Sequence, residues 1–221
     1  MKLIYALLGC LALLGSLNLH GMDAMPWISG LSATPDDTDT SFAVDGVYGY
    51  SFTVGETALE VSALGIYDYQ ADGLLSDHEV GLYTSDGMLV ASVSLEAGAS
   101  SGESFVYVSL STPIILSADA EYVVAATYLR GTAGDSTAYA NDRFCFATFD
   151  TTWGNVASYG TALFTNETTS LVYPTGQSAS AYGGFIGPNM IVAAVPEPSW
   201  TVAAAGLAVG LLVLRRVRRR G

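Results

Sequence analysis

An all-β protein is what this sequence predicts: an antiparallel β-sandwich or jelly roll of about nine strands, flanked by an N-terminal signal helix and a C-terminal transmembrane helix. Three observations lead there. No window between residues 42 and 195 sustains a 3.6-residue apolar period, which removes amphipathic helices from the centre. In the same region β-branched and aromatic runs, separated by Gly, Asp, Ser and Asn, recur every 8 to 15 residues. The long charge-free apolar runs lie at the two ends. With 50% hydrophobic and 13% charged residues, the chain is too apolar for disorder and has material for a core.

Taken in order, residues 1–24 read as a signal peptide. Met1-Lys2 supplies the positive start, residues 3–19 the apolar stretch, and His20-Gly21-Met22-Asp23-Ala24 the polar end, with cleavage expected after Ala24. An uncleaved anchor is the alternative, since the run of 17 is nearly long enough to span. Leu7-Leu8-Gly9-Cys10 imitates a lipidation box but comes too early in the apolar run. Residues 25–45 form a loop-rich lead-in.

The sandwich domain is expected over residues 46–194, and its clearest unit is a hairpin across 79–95. Ser85-Asp86-Gly87 joins two runs there, and Asp-Gly is a strong turn signal. Leu89, Ala91, Val93 and Leu95 alternate with Ser92 and Ser94, so one face should be buried and the other wet. Further strands are expected at 47–54, 59–67, 105–110, 121–129, 139–149, 162–165, 170–173 and 189–194, with 174–187 a loop-rich flank. No internal repeat is visible.

Residues 195–221 differ in kind. Val195-Pro196-Glu197-Pro198-Ser199 leads into the apolar residues 200–214, and Arg215, Arg216, Arg218, Arg219 and Arg220 follow. As a helix the 15 apolar residues reach about 22 Å, short of a ~30 Å hydrocarbon core. Snorkelling arginines and a Trp200 anchor make up the difference. Arginine clusters stay cytoplasmic, so the domain is expected outside and the tail inside. A buried amphipathic helix is the alternative, disfavoured by five arginines on an otherwise acidic chain.

The order of these three parts resembles the PEP-CTERM sorting signal of exported Gram-negative proteins, with Pro196, Glu197 and Pro198 as the matching positions. The resemblance implies recognition by an exosortase, a membrane-embedded cysteine transpeptidase. Two prolines block helix and sheet continuation, which leaves the segment extended. The central stretch, through Tyr50-Ser51-Phe52-Thr53-Val54, Asp77-His78-Glu79-Val80-Gly81-Leu82-Tyr83, Asp86-Gly87-Met88-Leu89 and Glu121-Tyr122-Val123-Val124, resembles an extracellular bacterial β-sandwich family of unknown function.

Charge narrows the partners. Residues 25–195 carry 19 acidic and 2 basic side chains, Arg130 and Arg143, a balance of −17 that repels phosphate backbones and disfavours a nucleic-acid binder. The same stretch has one histidine, His78, one cysteine, Cys145, and no lysine, so Schiff-base chemistry and multi-histidine metal sites are excluded. Without a second cysteine it has no internal disulfide, and packing must hold the fold. His78 reads as a hairpin-start residue and Cys145 as a partly buried thiol. Gly98-Ala99-Ser100-Ser101-Gly102 matches a nucleophile elbow in letters, but it lies between strands, where no helix follows.

Two acidic groups, Asp36-Asp37-Asp39 and Asp68-Asp72-Asp77-Glu79, have calcium-like ligands without EF-hand spacing, and solvated loops are the expected reading. No catalytic residue, metal or cofactor is expected. The function expected is that of an envelope-sorted, non-enzymatic surface or extracellular-matrix protein. Its partners would be the membrane, the processing enzyme and a matrix exopolysaccharide. The alternative is a displayed carbohydrate-binding module, with Trp153, Tyr159, Tyr182 and Phe185 as the stacking platform.

Overall fold

A computed structural model describes residues 24–31, 45–68, 71–129, 145–146, 149–151, 157–177 and 185–195. They belong to one compact unit, Ala24–Val195. Its strands are β1 (Met25–Pro26), β2 (Ile28–Leu31), β3 (Gly46–Val54), β4 (Leu59–Tyr67), β5 (His78–Thr84), β6 (Leu89–Leu95) and β7 (Phe105–Leu116). They continue as β8 (Glu121–Tyr128), β9 (Cys145–Phe146), β10 (Phe149–Thr151), β11 (Ala157–Asn166), β12 (Gly176–Gln177), β13 (Phe185–Ile186) and β14 (Pro188–Ala194).

Two antiparallel sheets form the sandwich, one ordered β1-β14-β4-β7 and the other β12-β11-β3-β8-β5-β6. Two small pairs, β10-β2 and β13-β9, accompany them. The alternation read in the sequence fills the space between the sheets. Tyr48, Tyr50 and Phe52 of β3, Val80 and Leu82 of β5 and Val124 and Ala126 of β8 meet Leu59, Val61, Leu64 and Ile66 of β4 and Met190 and Val192 of β14. Ring pairs give this core its geometry, with Trp27 at 5.7 Å from Phe52, and Phe52 stacked on Tyr122 at 6.0 Å.

The all-β sandwich stands as predicted, with six corrections of detail, the first being that the strand expected at 162–165 spans Ala157–Asn166. The lead-in is structural: β1 pairs with β14, and Trp27 and Ile28 are wholly buried in the core. The strand expected at 105–110 runs to Leu116, because the partner register resumes after an interruption. Val61 faces Ile114 and Ala63 faces Ser109, so residues 110–113 lie opposite Ser62 alone, a bulge of more than the usual one extra residue. Residues 170–173 form no strand, for a reason given below. The flank at 174–187 contributes the short β12 and β13. Finally, Leu89 does not continue the inward row of Ala91, Val93 and Leu95. A register shift between Leu82 and Tyr83 sets it opposite outward-facing Tyr83, and it is 49% exposed.

The hairpin turn forms where Asp-Gly placed it. Gly87 has φ +91°, its N–H donates to the Thr84 carbonyl at 3.0 Å, and Thr84 N–H donates to the Met88 carbonyl at 2.9 Å. Of the strand expected at 139–149, residues 145–146 and 149 are described and the remainder lies outside the described residues.

Candidate functional site

Pro196, Glu197 and Pro198, the residues 200–214 and Arg215, Arg216, Arg218, Arg219 and Arg220 lie outside the described residues, as do the signal segment 1–23 and Asp36, Asp37 and Asp39. Among the described residues no helix is long and apolar enough to cross a membrane. What is described is how the domain ends. β14 sits inside its sheet between β1 and β4, and Val195 N–H donates to the Ala58 carbonyl at 2.8 Å. The ladder therefore holds the chain firmly up to the residue before Pro196.

The start of the domain is tied to the same strand. Asn189, wholly buried on β14, accepts from Ile28 N–H at 3.0 Å through Oδ1 and donates through Nδ2 to the Ile28 carbonyl at 3.1 Å. Nδ2 also donates to the Tyr107 hydroxyl at 2.6 Å, and Oδ1 accepts from Met190 N–H at 2.8 Å. Between them lies Gly65, which faces Asn189 on one side and Tyr107 on the other. A Cβ there would collide with the Tyr107 ring and the Val106 carbonyl, so glycine lets the phenol cross the strand. Burial first, then the charge of Glu103, pushes the Tyr107 hydroxyl above its ordinary pKa.

His78 is a structural residue of β5. It is buried, its Nδ1 lies 2.6 Å from the Thr127 carbonyl and its Nε2 3.3 Å from Ser76 Oγ, and its ring meets Tyr128 edge-on at 5.4 Å. Both ring nitrogens are thus spoken for. The acidic group beside it is divided among separate tasks. The buried Asp68 carboxylate accepts Gly73 N–H at 3.1 Å, Asp77 accepts Ala97 N–H at 2.8 Å, and Glu79 accepts Leu171 N–H at 3.2 Å. Among the described residues no group of three or more His, Cys, Asp or Glu side chains is placed to hold a metal ion.

The Gly98–Gly102 segment is a turn, with φ +81° at Gly98 and +72° at Gly102. Ser101 Oγ donates to the Phe105 carbonyl at 2.7 Å and accepts Glu103 N–H at 3.2 Å, and strand β7 follows. Ser100, which holds the nucleophile position of the match, accepts Gly102 N–H through Oγ at 3.2 Å and so serves the turn as well. Of the aromatic platform, Trp153 and Tyr182 lie outside the described residues, and only the backbones of Tyr159 and Phe185 are placed, on β11 and β13.

The segment 167–175 explains the missing strand. It crosses the outer face of the six-stranded sheet, where Leu171 and Tyr173 cover Val47, Tyr83, Val123, Ala125 and Leu163. Tyr173 stands edge-on to Tyr83 at 5.6 Å, and its hydroxyl donates to the Ser85 carbonyl at 2.9 Å. This strap is why β8 is buried on both faces. Burial, then the charge of Glu79, pushes the Tyr83 hydroxyl up to about 12. Burial, then Glu121 and Asp86, raises that of Tyr173.

One surface was not singled out in the sequence. Met88, Leu89, Val108 and Ile115, between 37% and 63% exposed, lie on or beside β6 and β7, the last strands of their sheets at a shared margin. The signal available was the absence of charge from both strands. Fold and surface together define an acidic two-sheet β-sandwich domain whose first strands are tied to its last, β14. A family profile, Domain of unknown function (DUF4082), matches residues 32–182, and the chain belongs to that family. Comparison with curated proteins and with solved structures returned no match.

Proposed function

We propose that this chain is an exported, non-enzymatic surface or extracellular-matrix protein that is sorted in the envelope and processed at its C-terminal PEP-CTERM-like segment by an exosortase. The observation that carries the reading is the order of parts after the sandwich. The last strand ends at Ala194, Val195-Pro196-Glu197-Pro198-Ser199 follows, and residues 200–214 and the arginines complete it. Prolines on both sides of Glu197 disfavour helix and sheet, which suits Pro196–Pro198 to recognition by a second protein. The Glu197 carboxylate is then available to a cationic or hydrogen-bonding pocket. The arginines hold the tail on the cytoplasmic side, and the acidic, lysine-free domain of balance −17 remains on the other.

The test is Glu197→Ala in the native host. The apolar run and the arginines are untouched, so insertion should proceed, while processing should stop and the protein should accumulate in the inner membrane. Equal distribution of wild type and variant between membrane and exterior would overturn the reading and leave the motif a plain linker.

A further inference from the structure

Among the described residues the two sheets have four margins, and three are blunted. β1 and β12 are two residues long, and β1 ends in Pro26. β7 is interrupted by the 110–113 bulge, which contains Pro113. Short edge strands, prolines and bulges are the devices that prevent edge-to-edge pairing. β6 is shielded only at its start, where Val90 is an extra residue in the ladder with β5. It is seven residues long, LVASVSL, with no charge, proline or glycine, and its register with β5 is regular from Ala91 to Leu95. Its backbone makes no described hydrogen bond on the side away from β5, and Ser92 and Ser94 are exposed.

We propose that β6 is an assembly edge that pairs with β6 of a second copy of this chain, antiparallel about a two-fold axis at Val93. The pairing joins two six-stranded sheets into one. The strand is self-complementary in this register. Val93 faces Val93, Leu95 faces Ala91, and Ser92 faces Ser94, a cross-strand pair of hydroxyls on the outer face. Charge selects this margin for a like partner. A domain with balance −17 repels its own copies, and β6 is a run with no charge of its own. In this register the Glu79 carboxylates of the two copies stand about 16 Å apart, those of Glu96 about 20 Å, and Asp86 of one copy lies on the order of 13 Å from Glu96 of the other, all beyond a Debye length of ~8 Å.

The experiment is sedimentation velocity of the full chain in detergent micelles, for wild type and two variants. Both changed positions are exposed serines, so the fold is not at risk. Ser92→Lys with Ser94→Lys sets lysine opposite lysine at two places and should weaken association by about tenfold or more. The same two lysines lower the overall negative charge, so general electrostatics alone would strengthen association. Ser92→Glu with Ser94→Lys sets opposite charges face to face and should restore the dimer. Overturning results are a wild type monomeric up to about 100 μM, a dimer indifferent to the double lysine variant, no recovery in the charge-paired variant, or β6 occupied by a strand of another protein.

Discussion

Replacing Asn189 with alanine should unfasten the first strands from the sandwich, and its size can be worked out from the contacts. The amide is wholly buried and serves both backbone groups of Ile28, at 3.0 and 3.1 Å, as well as the Tyr107 hydroxyl at 2.6 Å. Truncation leaves a buried N–H and a buried C=O of Ile28 unpaired, at about 1–3 kcal/mol each. The Tyr107 hydroxyl, at the outer side of the network, adds less. The expected loss is therefore about 3–5 kcal/mol, a fall in Tm on the order of 6–20 °C for a domain of this size. Urea unfolding of the Ala24–Val195 unit should show a lower midpoint with an unchanged slope. Tyr107→Phe adds a sharper criterion, since its cost should largely vanish in the Asn189→Ala background if the two groups act as one network. A loss below about 1 kcal/mol, or full additivity of the two changes, would refute the reasoning.

Alkali should destabilise the fold through its buried phenols. Burial and the charge of Asp45 push Tyr48 up to about 12, and burial and Glu79 do the same to Tyr83. Unfolded tyrosine ionises near 10, so their contribution is complete below that pH and is lost as pH rises from about 10 to about 12. Phenolate absorbance followed with circular dichroism should show these two ionising together with unfolding, and ordinary ionisation in a folded protein would contradict this. Calcium should not stabilise the 68–79 loop, because three of its carboxylates are engaged by separate backbone amides. A bound ion would add about 2.7 kcal/mol at a hundredfold excess over Kd, so a melting shift of several degrees with Ca²⁺ and none with Mg²⁺ would show the expectation wrong.

Local pattern carried much of the fold. Alternation located β3, β4, β5 and β8 within a residue or so, and Asp86-Gly87 placed the hairpin turn, because both signals depend on neighbours in sequence. What it missed depends on distant partners. Trp27 and Ile28 sit in a segment poor in strand signals and are buried only because Asn189, 161 residues on from Ile28, receives them. Leu171 and Tyr173 occupy positions i and i+2 as they would on a strand, yet the same spacing suits a strap laid across a sheet, and Leu171 N–H goes to a Glu79 side chain. The outward turn of Leu89 follows from a register shift that no composition reveals. The charge-free run of β6 was visible, but its standing as a free margin exists only once strand order is known.

The central claim is envelope sorting with removal of the C-terminal segment, and the intact mass of the mature protein from its native host tests it most directly. The account predicts a chain that has lost its signal residues up to about Ala24 and ends within or near Pro196–Pro198, without residues 200–214 and the arginines. A mature chain whose mass still includes Arg215, Arg216, Arg218, Arg219 and Arg220 would contradict it.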